Sequence, residues 1–147
     1  MNKAIYDIEI PGVKKIYSGK VRELFEVDGK NMLMVATDRI SAFDYILPTP
    51  IPEKGIILTQ MSIFWFDYLK EILKNHIVES IFEEFPERFR RYPFLKGRSA
   101  IVKKVKKVPI ECVVRGYLAG SGWKEYREKE EVCGVKLPSG LKESEKL

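Results

Sequence analysis

The sequence predicts an α+β fold built on an antiparallel sheet, and three observations carry this prediction. Two strand-like segments flank the Asp28-Gly29 dipeptide, which is a strong signal for a tight hairpin turn. One long helical pattern follows them, and further strand-like segments come after it. Because strands and helices do not alternate regularly, an α+β arrangement with an antiparallel sheet is favoured over parallel β-α-β units.

The first part of the 147-residue chain predicts three antiparallel strands. Residues 13–17 form a short candidate, and residues 21–27 alternate charged and apolar side chains, as a half-buried strand does. Residues 32–37 are almost continuously apolar, so we expect this strand to be buried on both faces. Residues 18–20 form a small glycine-containing loop between the first two strands.

The middle of the chain predicts a loop and then a helix. Three prolines within residues 38–52 exclude a helix there. Thr59 is the predicted N-cap of a helix whose apolar residues recur at three- and four-residue steps until Lys74 and Asn75. We expect the aromatic stripe of this helix to pack in the core. Residues 83–91 alternate acids, bases and phenylalanines around a proline, which fits either a short surface helix or an extended segment.

The last third predicts two strands, a glycine-rich loop and a short helix. The strands cover residues 99–105 and 110–115, and the loop covers residues 116–122. The helix is expected over residues 123–129, with Ser121 as its N-cap.

Composition excludes several classes of protein. With 45% hydrophobic and 32% charged residues, the chain has the composition of a folded domain and not of a disordered tail. No apolar run approaches the roughly 18 residues of a membrane span, and the first residues lack the apolar core of a secretory signal, so we expect a cytoplasmic protein. The net charge of +5 suits a nucleic acid, a small anionic substrate or a solvated basic surface equally well.

Cysteine and histidine give little support to a metal site. Cys112 and Cys133 are far apart, and His76 is the only histidine, so we do not expect zinc. Cys112 lies in an apolar run and is predicted to be a small core residue. We do not expect His76 to act as a catalytic base.

Three polar clusters are candidates for ligand binding. In the first, residues 18–22 combine a glycine with a lysine and an arginine, which suits a phosphate, although an ordinary hairpin turn is the better explanation of these residues taken alone. In the second, residues 38–44 place two acids, an arginine and a serine after a buried strand, where ligand contacts gather, but a salt-bridged loop would look the same.

The third cluster begins with Arg115 and continues through a loop of small residues to Ser121. An arginine at a strand end grips carboxylates or phosphates, and a helix N-terminus favours anions. The lysines of residues 103–107 could instead form an RNA-binding run, but no RNA-recognition motif accompanies them, and a solvated strand edge is the commoner explanation.

Three blocks of this sequence resemble the SAICAR synthetase family, and the resemblance runs from about Lys14 to the last residue. The blocks are SGKVRELF at 18–25, ATDRISAFD at 36–44 and VPIECVVRGYLAGSGW at 108–123. The resemblance implies an ATP-dependent ligase of purine biosynthesis that joins CAIR to L-aspartate and yields SAICAR, ADP and phosphate with Mg²⁺. It also implies a two-lobed, ATP-grasp or kinase-like architecture with the nucleotide between the lobes.

The resemblance implies roles for individual residues. Lys20 and Arg115 are the candidate catalytic residues. The nucleotide-binding candidates are Ser18, Gly19, Lys20 and Arg22 of the phosphate-covering loop, Lys103 or Lys104 on the strand, and Glu111, Cys112 and Val113 of the adenine hinge. The substrate-binding candidates are Asp38, Ser41, Asp44, Arg115, Gly120 and Ser121. The residues of this sequence do not identify the metal ligands.

The resemblance also implies that the family continues beyond the last residue of this sequence. We therefore expect residues 1–108 to form the first lobe, and residues 109–147 to form the hinge and the opening of a truncated second lobe. On this expectation the chain alone is inactive, and it self-associates or packs against a C-terminal partner segment. Its predicted partners are small molecules, without nucleic acid or membrane; the alternatives are a non-catalytic nucleotide-binding or regulatory module and, less favoured, an RNA-binding protein.

Overall fold

The computed structural model describes residues 3–106, 108–110 and 112–147. The chain divides into two compact units, Met1–Lys106 and Lys107–Leu147. Assignment of two lobes of a larger enzyme to residues 1–108 and 109–147 stays a prediction.

The first unit is a five-stranded antiparallel sheet in the order β1-β2-β3-β7-β6. Its strands are β1 (Lys15–Ser18), β2 (Arg22–Glu26), β3 (Asn31–Ala36), β6 (Ile77–Glu79) and β7 (Ser99–Lys103). Two short strands, β4 (Ser41–Ala42) and β5 (Tyr45–Ile46), pair in a separate hairpin. The predicted α+β class with an antiparallel sheet is confirmed, and so are the first three strands.

The core lies on one face of this sheet. Alternate residues of the central strands point into it, and the chain segments before β1 and between β6 and β7 cover them. The buried members are Ile8, Ile10, Phe25, Leu33, Val35, Phe85, Phe89, Leu95 and Ile101. The expectation that β3 is buried on both faces is correct for one face only, because Leu33 and Val35 are buried while Met32 and Met34 are half-buried.

Helix α1 (Lys54–Tyr68) differs from its prediction at both ends. The helix begins five residues before Thr59, whose hydroxyl lies inside it and donates to the Gly55 carbonyl at 2.7 Å. The aromatic stripe does not pack in the core, since Phe64 and Trp65 are each more than half exposed. The helix is apolar all round, so a single sheet face cannot cover it.

For residues 83–91 the sequence allowed either a short helix or an extended segment, and the structure shows short helical turns. A 3₁₀ turn covers Phe82–Glu84, and helix α2 covers Glu87–Arg90. The next predicted strand is observed as β7, two residues shorter than expected.

The predicted strand at residues 110–115 is wrong for the residues described there, which have no regular secondary structure. Cys112 is exposed, so its prediction as a core residue is also wrong. An apolar run forms a strand only when a neighbouring edge is available to pair with it.

The second unit contains α3 (Gly120–Lys129) and a hairpin of β8 (Glu131–Val132) and β9 (Val135–Lys136). Ala119, and not Ser121, occupies the N-cap of α3. Tyr126 is buried and its hydroxyl donates to the Pro138 carbonyl at 2.7 Å, which anchors the segment after β9. In the described residues of both units, no helix combines the length and hydropathy that crossing a bilayer requires.

Candidate functional site

The glycine loop, defined here as residues 18–22, is a tight turn between β1 and β2. The Gly19 N–H donates to the Arg22 carbonyl at 2.8 Å, which leaves Lys20 and Val21 at the tip. A Cβ on residue 19 would lie 3.2 Å from that same carbonyl, so glycine allows the two backbones to approach. Ser18 turns its hydroxyl inward and donates to Glu23 at 3.0 Å.

Arg39 holds the glycine loop from behind. Its Nε donates to the Lys20 carbonyl at 2.9 Å, and its Nη2 donates to the Gly19 carbonyl at 2.7 Å. Nη2 also donates to Glu23 at 2.7 Å, and Nη1 donates to the Tyr6 carbonyl at 2.9 Å. The sequence analysis counted this arginine in the cluster at residues 38–44 but assigned it no role of its own.

Lys20 and Asp44, both predicted site residues, are brought together as an ion pair although 24 positions separate them. The Lys20 hydrogen bond and charge lower the pKa of the Asp44 carboxyl. Phe43 and Asp44 form the tip of the β4–β5 hairpin with φ of 48° and 68°, and the Phe43 side chain is 97% exposed. The pair therefore connects the glycine loop to this exposed tip.

Asp38 lies apart from the exposed groups, fully buried beneath the N-terminus of α1. Its Oδ1 accepts from the Gly55 N–H at 2.9 Å and from Arg98 at 3.0 Å, and its Oδ2 accepts from the Ile5 N–H at 2.8 Å and from Arg98 at 3.3 Å. Burial alone would raise the pKa of Asp38, but these hydrogen bonds outweigh it and lower the pKa. Ser41, the third candidate of this block, lies in β4 and is half-buried.

A cavity of about 180 Å³ lies between the sheet and α1. Its lining is mainly apolar, including Met34, Leu58 and Val102, with Arg22 and His76 among the polar residues at its wall. Burial, together with the charges of Arg22 and Lys103, lowers the pKa of His76, so its imidazole is neutral at pH 7. An apolar cavity with cationic groups at its wall suits an anionic ligand that also has an apolar part.

The remaining nucleotide-binding candidates, which are two lysines and the hinge residues, differ in their contacts and in their exposure. Lys104 donates to the Asp28 carbonyl at 2.5 Å and lies 3.4 Å from Glu26, whereas the Lys103 side chain is exposed. Cys112 and Val113 lie in an exposed irregular segment. Glu111, the first hinge candidate, lies outside the described residues.

In the second unit, the substrate-binding candidates Arg115, Gly120 and Ser121 come together at the start of α3. The Arg115 guanidinium donates to the Ser121 hydroxyl at 3.2 Å. A Cβ on residue 120 would lie 3.5 Å from the guanidinium, and Gly120 has a φ of 60° that disfavours other residues. The exposed guanidinium therefore lies beside a helix N-terminus, and both attract an anion.

Acidic residues do not converge on a metal site in the described part of the chain, where no group of three His, Cys, Asp or Glu side chains is placed to hold an ion. The acids near the glycine loop are already engaged. Glu23 is buried against Arg39, and Asp44 is paired with Lys20.

Comparison with known proteins assigns the family. Residues 15–147 match the family model of SAICAR synthetase. A phosphoribosylaminoimidazole-succinocarboxamide synthase from Thermodesulfovibrio yellowstonii is 53% identical over all of this chain and 50% of its own length. One from Chromobacterium violaceum is 58% identical over 92% of this chain and 47% of its own.

Solved structures agree with this result. The SAICAR synthase from Saccharomyces cerevisiae complexed with SAICAR has a TM-score of 0.85 at 43% identity, covering 98% of this chain and 51% of that one. A SAICAR synthetase in complex with ADP has a TM-score of 0.64 at 27% identity, covering 89% and 45%. The chain thus spans about half the length of the relatives that it matches, and it belongs to the SAICAR synthetase family.

Proposed function

We propose that this chain supplies the nucleotide-binding and ribotide-binding parts of an ATP-dependent ligase that joins CAIR to L-aspartate and yields SAICAR, ADP and phosphate. Family membership together with the glycine loop beside the apolar cavity carries this proposal. One relative has been solved with ADP and another with SAICAR, which supports both ligand classes. We also propose a cytoplasmic location, where these metabolites would be found.

The chemistry requires activation of an inert group. A carboxylate at neutral pH is a poor electrophile, so the γ-phosphoryl group of ATP is transferred to an oxygen of the CAIR carboxylate, giving an acyl phosphate and ADP. The aspartate amine then attacks the acyl carbon, phosphate leaves with the C–O bond electrons, and the amine loses a proton. The protein's contribution is positioning and charge neutralisation.

The roles proposed for the chain's residues follow their positions. Gly19 lets the loop backbone approach the nucleotide phosphates and the Lys20 ammonium contacts them, with Ser18 and Arg22 shaping the loop. Lys103 and Lys104 add positive charge at the end of β7, and the backbone at residues 111–113 contacts adenine. Arg115 and Ser121 hold the ribotide phosphate or carboxylate, with Gly120 keeping the space open.

The acidic candidates take different roles in this proposal. Asp44 holds Lys20 in the absence of nucleotide, and Ser41 stays a candidate substrate contact. Asp38 supports the fold and does not touch substrate, because each of its oxygens already accepts two hydrogen bonds.

The magnesium ion implied for the family would neutralise phosphate charge when bound. Among the described residues, no three His, Cys, Asp or Glu side chains are placed together to hold an ion. We therefore assign no metal ligand and no step to the ion.

The first test is a calorimetric titration of the chain with ATP and ADP. We expect heat of binding for the native chain, and a clear loss of affinity for Lys20→Ala. Lys30→Ala is the matched control, because Lys30 lies in the neighbouring β2–β3 turn, and it should leave the affinity unchanged. A native chain without nucleotide binding would contradict the proposal.

The second test is turnover, measured as ADP release with CAIR and aspartate. The chain is assayed alone and after co-expression with the part of a relative that it does not match. Arg115→Ala should lower kcat/KM by a factor that corresponds to a loss of about 2–4 kcal/mol in transition-state stabilisation, since a charge-assisted substrate contact is lost. Nucleotide binding without turnover in either sample would favour the non-catalytic alternative.

A further inference from the structure

Arg39 is the one residue whose side chain reaches two successive carbonyl groups of the glycine loop, among the described hydrogen bonds. Arg39 is 5% exposed, and its guanidinium donates four hydrogen bonds in all. Such a buried group is a rigid planar fork that fixes the direction of each acceptor.

The direction of the two carbonyls decides the direction of two N–H groups. In a planar trans peptide unit the C=O and the following N–H point opposite ways. When the Gly19 and Lys20 carbonyls point at Arg39, the N–H groups of Lys20 and Val21 must point away from it. Successive N–H groups that face outward from a turn form a concave site for an anion.

We propose that Arg39 is a positioning residue: it aims the N–H groups of Lys20 and Val21 at the phosphates of the bound nucleotide, without touching the nucleotide itself. This inference deepens the proposed function and rests on it for the identity of the ligand. The hold of Arg39 on the loop is independent of any ligand.

Glu23 provides the carboxylate that compensates the buried charge of Arg39. Its carboxylate is fully buried, accepts from Arg39 at 2.7 Å and from Ser18 at 3.0 Å, and lies 3.9 Å from Lys15. The charge of Arg39 is therefore compensated by a buried carboxylate. Removing the charge of Glu23 weakens the pair but leaves the hydrogen bonds from Arg39 to the loop carbonyls.

This difference provides a matched pair of variants. Arg39→Lys keeps a positive charge for Glu23 but replaces the fork by one ammonium, which cannot reproduce all four hydrogen bonds. Glu23→Gln keeps the fork and an acceptor oxygen. Both changes destabilise the fold, but only the first should release the loop.

The experiment is amide hydrogen exchange of the unliganded chain, followed by NMR. In Arg39→Lys, the Gly19 amide should exchange at least about tenfold faster than in the native chain, because its bond to the Arg22 carbonyl opens with the loop. In Glu23→Gln, the same amide should change less than about threefold after correction for global stability. The Val27 and Asp28 amides of the β2–β3 turn are the internal reference and should stay constant in both.

A titration with ADP extends the test to the ligand. Arg39→Lys should weaken ADP binding at least about tenfold relative to Glu23→Gln at comparable unfolding midpoints. Equal effects of the two variants on loop exchange and on affinity would show a merely structural role and overturn the inference. If the native chain binds no ADP, the proposed function fails, while the exchange data still decide whether Arg39 holds the loop.

The native chain provides a measurement that needs no variant, in case Arg39→Lys does not fold. The Nε–H signal of Arg39 should exchange slowly and open together with the Gly19 amide across a denaturant series. Unrelated opening of the two groups would overturn the inference.

Discussion

The two hairpins that share β2 are held in opposite ways. In the β2–β3 turn, the Asp28 carboxylate accepts from the N–H groups of Lys30 and Asn31 at 2.7 and 2.8 Å, and from the Asn31 amide at 3.0 Å. In the β1–β2 turn, Arg39 donates to loop carbonyls from 19 and 20 positions away. One turn carries its own support, and the other depends on the folded protein around it.

This difference determines whether the backbone N–H groups of each turn are available to a ligand. A turn closed by its own aspartate satisfies its N–H groups locally and leaves them unavailable to a ligand. A turn held through its carbonyls keeps its N–H groups facing outward. The second arrangement requires a buried charge, which a simple connection between strands would not need.

Removal of each support gives the largest predicted contrast. Arg39→Ala leaves the buried Glu23 carboxylate with only Lys15, at 3.9 Å, as a charge partner, so the free energy of unfolding should fall by about 3–5 kcal/mol. Asp28→Ala, its matched control, should have a much smaller effect because Asp28 is exposed. Urea denaturation of both variants measures the contrast, and equal losses would remove the distinction between the two hairpins.

Asp38 extends the comparison to a buried carboxylate whose partner, Arg98, is 60 positions away in the sequence. Asp38→Asn should lower the free energy of unfolding by about 3 kcal/mol, because Arg98 loses its buried charge partner. The pKa of Asp38 is lowered on folding, so its stabilisation is complete above the unfolded value near 4 and is lost as the pH falls further.

The measurement is the unfolding midpoint of both proteins between pH 6 and pH 2.5. The native chain should lose stability below about pH 4, and Asp38→Asn should show a shallower decline there. Parallel curves for the two proteins would show that Asp38 does not carry this pH dependence.

Substitution of one glycine in each of the two turns compares the space that is available for a Cβ atom. Gly19→Ala places a Cβ 3.2 Å from the Arg22 carbonyl, so we expect a loss of about 1 kcal/mol. Gly29→Ala meets nothing within 4 Å, and its lower unfolded-state entropy should stabilise the chain by about 0.4–1 kcal/mol. Opposite signs in thermal unfolding are the expected result, and the same sign would show that both turns tolerate a side chain alike.

His76, at the cavity wall, gives the smallest predicted effect. Its pKa is lowered on folding, so below about 6.5 the unfolded chain binds the proton more readily and stability falls. His76→Phe should remove this small slope between pH 7 and pH 5 while keeping the ring contact with Phe66. A slope that survives the substitution would have to arise from another group.

Much of the fold could be predicted because its signals are local. The Asp28-Gly29 turn, the alternation in β2 and the prolines before α1 act over a few residues, and all three predictions agree with the structure. The family blocks also named Lys20, Asp44, Arg115 and Ser121 as site candidates, and the structure brings these four residues together in two pairs.

The failures share a different cause. Phe64 and Trp65 have the spacing of core residues, but whether they are covered depends on how much sheet surface is available to α1. The predicted strand at residues 110–115 has the composition of a strand, but pairing depends on a free edge elsewhere. Neither quantity is encoded in a short window of sequence.

By itself, then, the sequence determined the first two hairpins, the order of β1, β2, β3, α1, β7 and α3, and the family. Only the tertiary structure decided that Asp38 is buried under α1 while its neighbour Arg39 reaches back to the glycine loop. Hydrogen bonds across 16 to 60 positions create these roles, since the partners become neighbours only when the sheet has formed. Local patterns specify conformation, whereas burial and long-range pairing specify what each polar group is free to do.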